Sequence, residues 1–229
     1  NVAYLPATVA TVCALDVLEV SASHMIKFHG AHVLRSAQAP MRTPFFAAGL
    51  AFAPAAIIAR VHYDCCTPML FDGEEFSFTA RLYTHGYDIY APFTDPVYHI
   101  YETGVNPKYW QVDWEHRFPI RQRSEQRVLH MLGLDPVHGT LDEVNTTRLD
   151  EFSLGKERPL ADLLDMLNFD YAHRENLRPV ARAMATQAEG AIFATSICED
   201  LAAGRWPPFD DYRAFAHEPA AQVWRTNVR

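Results

Sequence analysis

The sequence predicts an α/β domain, and three observations carry that reading. A short apolar run at 45–52, FFAAGLAF, precedes a helical stretch, and two strand-like runs follow it, YDIYAP at 87–92 and VYHIY at 97–101. The helical stretch, 74–85, places apolar side chains at three- and four-residue spacing and is closed by Gly86. Apolar residues make up 49% of the 229-residue chain, enough to bury a large core.

Taken in order, TVATVC at 8–13 is short and β-branched, and MIKFH at 25–29 alternates apolar with polar residues; both predict strands. Residues 30–44 carry Gly30, Pro40 and Pro44 and predict loop. FFAAGLAF predicts a strand buried on both faces. Its small residues Ala47, Ala48 and Gly49 leave room for something to approach the backbone. Pro54 opens a short helix, PAAIIARV, as its first-turn proline. In the 74–85 helix, Phe78, Leu82 and His85 share one face, while Phe76, Ala80 and Tyr83 lie near another. GVNPKYWQVDWEHRFP, at 104–119, predicts a long loop or lid. SEQRVLHML at 124–132 predicts a helix stopped by Gly133, and residues 159–203 predict two or three more. The tail from Trp206 predicts extended or irregular chain. A boundary near 120 separates an α/β part, 1–120, from a mainly helical part, 121–229, packed on it.

A net charge of −8 argues against a nucleic-acid partner, because phosphate binding wants a basic surface. No apolar run is long enough to span a bilayer, so no membrane partner is expected. The chain begins at Asn1 with no basic leader, which predicts an N-terminal truncation rather than a signal peptide. Cys13, Cys65, Cys66 and Cys198 form no Cys-x-x-Cys and are expected as reduced thiols of a cytosolic protein, with a redox-active Cys65–Cys66 pair as the alternative. Asn145-Thr146-Thr147 fits a glycosylation sequon, a pattern that also arises by chance.

Residues 71–78, FDGEEFSF, place two adjacent carboxylates among aromatic rings at the entrance of a helix. Adjacent acids repel, and apolar neighbours raise the cost of charging either one. Two readings compete. Acidic residues in a first helical turn are ordinary partners of its unpaired N–H groups, worth about 0.3–1 kcal/mol each. Paired carboxylates also serve a sugar in glycosyl transfer, which offers hydroxyls and an oxocarbenium-like transition state. Neighbouring aromatics suit the apolar face of such a ring.

TPFFAAGLAFAP, DGEEFSFTARLYTHGYDIYAP and PVYHIY together resemble the core of the cytoplasmic hydroxyproline N-acetylglucosaminyltransferase family. A more distant likeness is to the polypeptide N-acetylgalactosaminyltransferases. RSEQRVLHMLGL and FSLGKERPLADLLDMLNFDY extend the resemblance over roughly residues 7–171. It implies the C-terminal part of a GT-A-type, Rossmann-like domain with a helical extension. It implies a nucleotide-sugar donor, UDP-GlcNAc, transfer with retention to a protein hydroxyl such as hydroxyproline, and a cytoplasmic setting. Glu74 and Glu75 would be catalytic, holding sugar hydroxyls and setting the field at the reacting carbon. Ala47, Ala48 and Gly49 would put backbone against the donor sugar. His99 would be a ligand of a divalent cation, manganese or magnesium, which neutralises a departing diphosphate.

Spacing by itself favours a packed His99 over a liganding one, and His24, His29 and His32 lack a carboxylate or thiol to complete a metal set. His85 reads as a core or capping residue, and His116 as surface or acceptor contact. Tyr101, Tyr109 and Trp110 are candidates for an acceptor groove, with packing as the equal alternative. In FSLGKERPLADLL, Leu154 and Leu160 are expected to pack and Arg158 to pair with a nearby acid. Two departures from the family stand out. Asp72 replaces an aromatic and adds a third negative charge to the substrate-binding set. No Asp-x-Asp is present, which leaves a non-catalytic sugar- or peptide-binding remnant as the alternative function. A metal hydrolase ranks last.

Overall fold

The computed structural model describes residues 8–13, 15–17, 25–28, 32–35, 40–98, 104, 107–108, 111, 113–134, 144–167, 169–170 and 175–176. Their strands are β1 (Thr8–Thr11), β2 (Leu15–Val17), β3 (Ile26–Phe28), β4 (His32–Arg35), β5 (Met41–Thr43), β6 (Ile89–Ala91), β7 (Phe169–Asp170) and β8 (Glu175–Asn176). The helices are α1 (Ala55–Arg60), α2 (Glu74–Thr84), α3 (Trp114–Met131) and α4 (Leu160–Met166). The architecture is mixed α/β. The strands pair antiparallel as β1–β4, β2–β3, β5–β6 and β7–β8.

α2 is the axis of the fold. Phe76, Ser77, Phe78, Thr79, Ala80, Arg81, Leu82 and Thr84 are all buried, so the helix is enclosed on every side. Its two predicted apolar faces go to two clusters. Phe76 and Ala80 join Leu15 of β2, Ile26 and Phe28 of β3, Cys13, Met25 and Phe45 from the segments beside the strands, Val128 and Leu129 of α3, and Leu163 of α4, with Tyr83 packed alongside. Phe78 and Leu82 meet Phe46 and Val61. One cluster therefore draws side chains from both sides of residue 120, and α3 runs through that position.

α3 lies along the loop between α1 and α2 through polar rather than apolar contacts. Arg121 donates to Asp72, Ser124 to the Pro68 carbonyl at 2.6 Å, and Arg127 to Asp64 at 2.8 and 3.2 Å. Residues 121, 124 and 127 share a helical face. Their partners descend the loop in the opposite order. At the other end of α2, the 152–158 segment clamps the C-terminus. Gly155 N–H donates to Thr84 Oγ1 at 2.8 Å, and the Thr84 carbonyl accepts the Glu157 N–H at 2.9 Å. Arg158 pairs with Asp88 at 2.7 Å, while Leu154 and Leu160 pack against the core, as the sequence predicts for this segment.

Several sequence expectations need correction. The 30–44 segment holds β4 and β5 rather than a continuous loop; β5 is completed by β6, with Met41 opposite Ala91, a pairing distant in the chain and invisible to local composition. The predicted loop at 104–119 ends early, because α3 starts at Trp114 and carries Pro119 inside it. Pro54 caps α1 rather than occupying its first turn. Val97 and Tyr98, from the predicted VYHIY strand, have no regular structure. Cys13 is buried and disulfide-bonded, so the expectation of reduced thiols fails there, while Cys65 and Cys66 are free. The β7–β8 pair stands within the region predicted as helix. Residues 177–203 and the tail from Trp206 lie outside the described residues.

The 45–52 run is not a strand, and the reason lies in its hydrogen bonds. Phe46 N–H donates to Thr79 Oγ1 at 3.2 Å and Ala48 N–H to Glu75 Oε1 at 2.8 Å. Two extended residues advance about 6.6 Å, close to the roughly 6 Å of four helical residues. The run can therefore lie antiparallel along α2 and use its side chains in place of a neighbouring strand. Phe45 and Phe46 stay in the core; from Ala48 to Phe52 the chain is exposed.

Candidate active site

The N-terminus of α2 gathers the charged groups. Gly73 precedes it with φ 86°, a left-handed conformation that favours glycine. A Cβ there would lie 2.1 Å from Met25 Cε and would push that side chain's end aside. It delivers Glu74 and Glu75 into the first helical turn, where no side chain caps the free N–H groups.

The two acids have different surroundings. Glu75 is fixed by the Ala48 N–H. Burial raises its pKa, while the Ala48 N–H and Lys27 pull it down and Asp72 pushes it up. Glu74 has no such donor: burial first, and the Glu75 charge second, push its carboxyl from 4.5 to about 7. Glu74 is therefore about half protonated near neutrality, next to a Glu75 whose own affinity for a proton is raised by burial and opposed by the Ala48 N–H and Lys27.

Asp72 sits in an ion-pair network. Arg121 Nη2 donates to its Oδ2 at 3.1 Å, and Arg121 Nε to Glu125 Oε1 at 2.6 Å. Lys27 Nζ lies 2.9 Å from Asp72 Oδ1, a charge contact without hydrogen-bond alignment. These cations offset the third acid that Asp72 adds beside Glu74 and Glu75. Tyr63 also belongs here. It stacks on Phe78 with ring centroids 4.4 Å apart and planes 8° from parallel. Its phenol is held above its ordinary value by partial burial, then by the Glu74 and Glu75 charges.

Of the sequence-predicted site residues, the structure brings together Glu74, Glu75, Asp72, Ala47 and Ala48. Gly49 follows in the exposed turn, where an added Cβ would meet nothing within 4 Å. His99, Tyr101 and Trp110 lie outside the described residues. His85 caps the C-terminus of α2, with Nδ1 2.8 Å from the Arg81 carbonyl. His116 pairs with Asp113 on the surface. Lys27, Tyr63 and Arg121 were missed in the sequence because each comes from a segment distant from α2. For Arg121 a signal existed: a polar stripe at 121, 124 and 127 on one face of α3.

For a divalent cation the described residues offer a poor fit. Asp64, Cys65 and Cys66 place ligand atoms within 4.8 Å of one another. Asp64, however, is already engaged by Arg127 and by the Cys66 N–H, and thiols suit soft metals rather than a diphosphate's magnesium or manganese. Among the described residues no helix is long and apolar enough to cross a membrane.

A family model described as Glycosyltransferase (GlcNAc) matches residues 3–173 of the chain. No curated protein and no solved structure gives a significant match.

Proposed function

This chain belongs to the GlcNAc glycosyltransferase family, whose activity is glycosyl transfer, and from that premise we propose that it moves GlcNAc from UDP-GlcNAc to a protein hydroxyl such as that of hydroxyproline. The observation that supports a reacting site at the head of α2 is the 2.8 Å bond from the Ala48 N–H to Glu75, beside Glu74. It ties the exposed small-residue turn to the acid pair, so that a sugar on that turn meets both carboxylates.

In this reading the bond from the anomeric carbon to the diphosphate oxygen breaks, and a bond to the acceptor oxygen forms on the same face. The acceptor's proton goes to the departing diphosphate oxygen, leaving glycosylated acceptor and UDP. Glu75, held by Ala48, faces the positive charge that develops at the ring. Glu74 holds sugar hydroxyls and, with its carboxyl near 7, exchanges between accepting and donating. Asp72 keeps Lys27 and Arg121 beside the pair. The GT-A-type architecture, Tyr101 and Trp110 at the acceptor, a divalent cation on His99 and a cytoplasmic setting rest on the sequence alone, and no step here runs through the metal.

The test is incubation of the chain with UDP-GlcNAc, manganese and a hydroxyproline peptide, read by mass spectrometry and by the anomeric configuration of the product. Transfer that Glu75→Gln abolishes is the expected result. Transfer undiminished in Glu75→Gln overturns the assignment of that acid. His99→Ala is expected to raise the manganese concentration needed for turnover; an unchanged requirement removes His99 from the metal.

A further inference from the structure

Tyr63 combines two properties seldom found together: it is exposed, at 54%, and it is held rigidly. Phe78 lies flat against one face of its ring, and Phe46 in turn meets Phe78 edge-on at 4.9 Å. Its two chain neighbours are held by buried arginines, His62 through its backbone and Asp64 through its carboxylate. Arg81 Nη1 donates to the His62 carbonyl at 2.8 Å, and Arg127 binds Asp64 through two nitrogens. Phe78 is also one helical turn beyond Glu74 and shares its face of α2. The free side of Tyr63 is thus an ordered aromatic surface next to the acid pair, with its ordering entropy already spent in folding.

We propose that the open face of Tyr63 is the platform on which the pyranose ring of the transferred sugar lies, with its hydroxyls turned toward Glu74 and Glu75. A pyranose ring presents a flat array of C–H groups, and a rigid aromatic supplies matching apolar area without competing for the hydroxyls. A ring carrying developing positive charge gains further from an aromatic face, whose quadrupole attracts cations. This inference rests on the glycosyl-transfer reading and deepens it by naming a residue for the sugar as distinct from the nucleotide.

The test measures binding of UDP-GlcNAc and of UDP alone to the full chain by calorimetry, beside thermal unfolding. Tyr63→Leu, which keeps apolar packing on Phe78 without a flat face, is expected to weaken UDP-GlcNAc about tenfold while leaving UDP and the melting midpoint little changed; Tyr63→Ala is expected to weaken UDP-GlcNAc at least as much, spare UDP, and lower the midpoint through the lost stack on Phe78. Tyr63→Phe and Tyr63→Trp are expected to bind within about twofold of the parent chain. Equal losses for UDP and UDP-GlcNAc would assign the ring to the base and overturn the proposal, as would unchanged binding in Tyr63→Leu. A parent chain that binds neither ligand overturns it together with the transferase reading. Transfer abolished by Glu75→Gln with sugar binding intact in Tyr63→Leu overturns the platform alone.

Discussion

Glu75 Oε1 accepts the backbone N–H of Ala48 at 2.8 Å, joining residues 27 positions apart. The bond consumes one of the N–H groups of the small-residue turn and fixes the direction of the carboxylate. Replacing Glu75 by Gln keeps an acceptor for Ala48 but removes the charge. Turnover is expected to fall about 100-fold or more, with the melting midpoint little changed. Steady-state kinetics beside a thermal scan checks this, and a drop in turnover matched by unfolding would assign Glu75 a structural role.

Glu74 makes stability depend on pH. Its folded pKa of about 7 stands above the ordinary 4.5, so the folded chain binds its proton more tightly than the unfolded chain does. That contribution is complete below 4.5 and is lost as pH rises through about 7. Urea denaturation across this range should show stability falling with pH, and Glu74→Gln should flatten the slope. Parallel slopes in the two proteins would mean that Glu74 titrates normally.

The Arg127–Asp64 pair is buried, with the arginine side chain 0% and the aspartate 8% exposed. Arg127→Ala strands the carboxylate beneath α3, and the expected loss is about 3–5 kcal/mol in chemical denaturation. Replacing both partners together by apolar residues should cost less than the single change. A loss from Arg127→Ala below about 1 kcal/mol would show that water reaches Asp64.

Gly155 packs its α-carbon against the end of α2. A Cβ there would lie 2.3 Å from the Thr84 carbonyl oxygen, and backbone rather than a flexible side chain is what must yield. Gly155→Ala is expected to destabilise by about 1–3 kcal/mol, with Thr84→Ser much milder, because serine keeps the hydroxyl that receives the Gly155 N–H. An unchanged melting temperature in Gly155→Ala would show that the 152–158 clamp moves freely.

Much of α2 was legible in the sequence. Gly73 and Gly86 bound it with φ values of 86° and 87°, and its spacing gave the two apolar faces that the clusters around Phe76 and Phe78 then fill. The Gly-Glu-Glu entrance was equally plain. FFAAGLAF misled because an apolar run does not say where its N–H groups go: here they bond Thr79 and Glu75 of a helix. The polar stripe of α3 went unread, because the partners of Arg121, Ser124 and Arg127 lie 49 to 63 positions away.

The amino-acid order by itself determined the central helix, its ends, its buried faces and the pair of acids at its head, because glycine conformation and helical periodicity act between near neighbours. The tertiary structure decided what those acids meet: Ala48 on Glu75, Lys27 and Arg121 on Asp72, and Tyr63 laid flat on Phe78. Such meetings depend on how separate segments pack, and packing leaves no periodic trace along the chain.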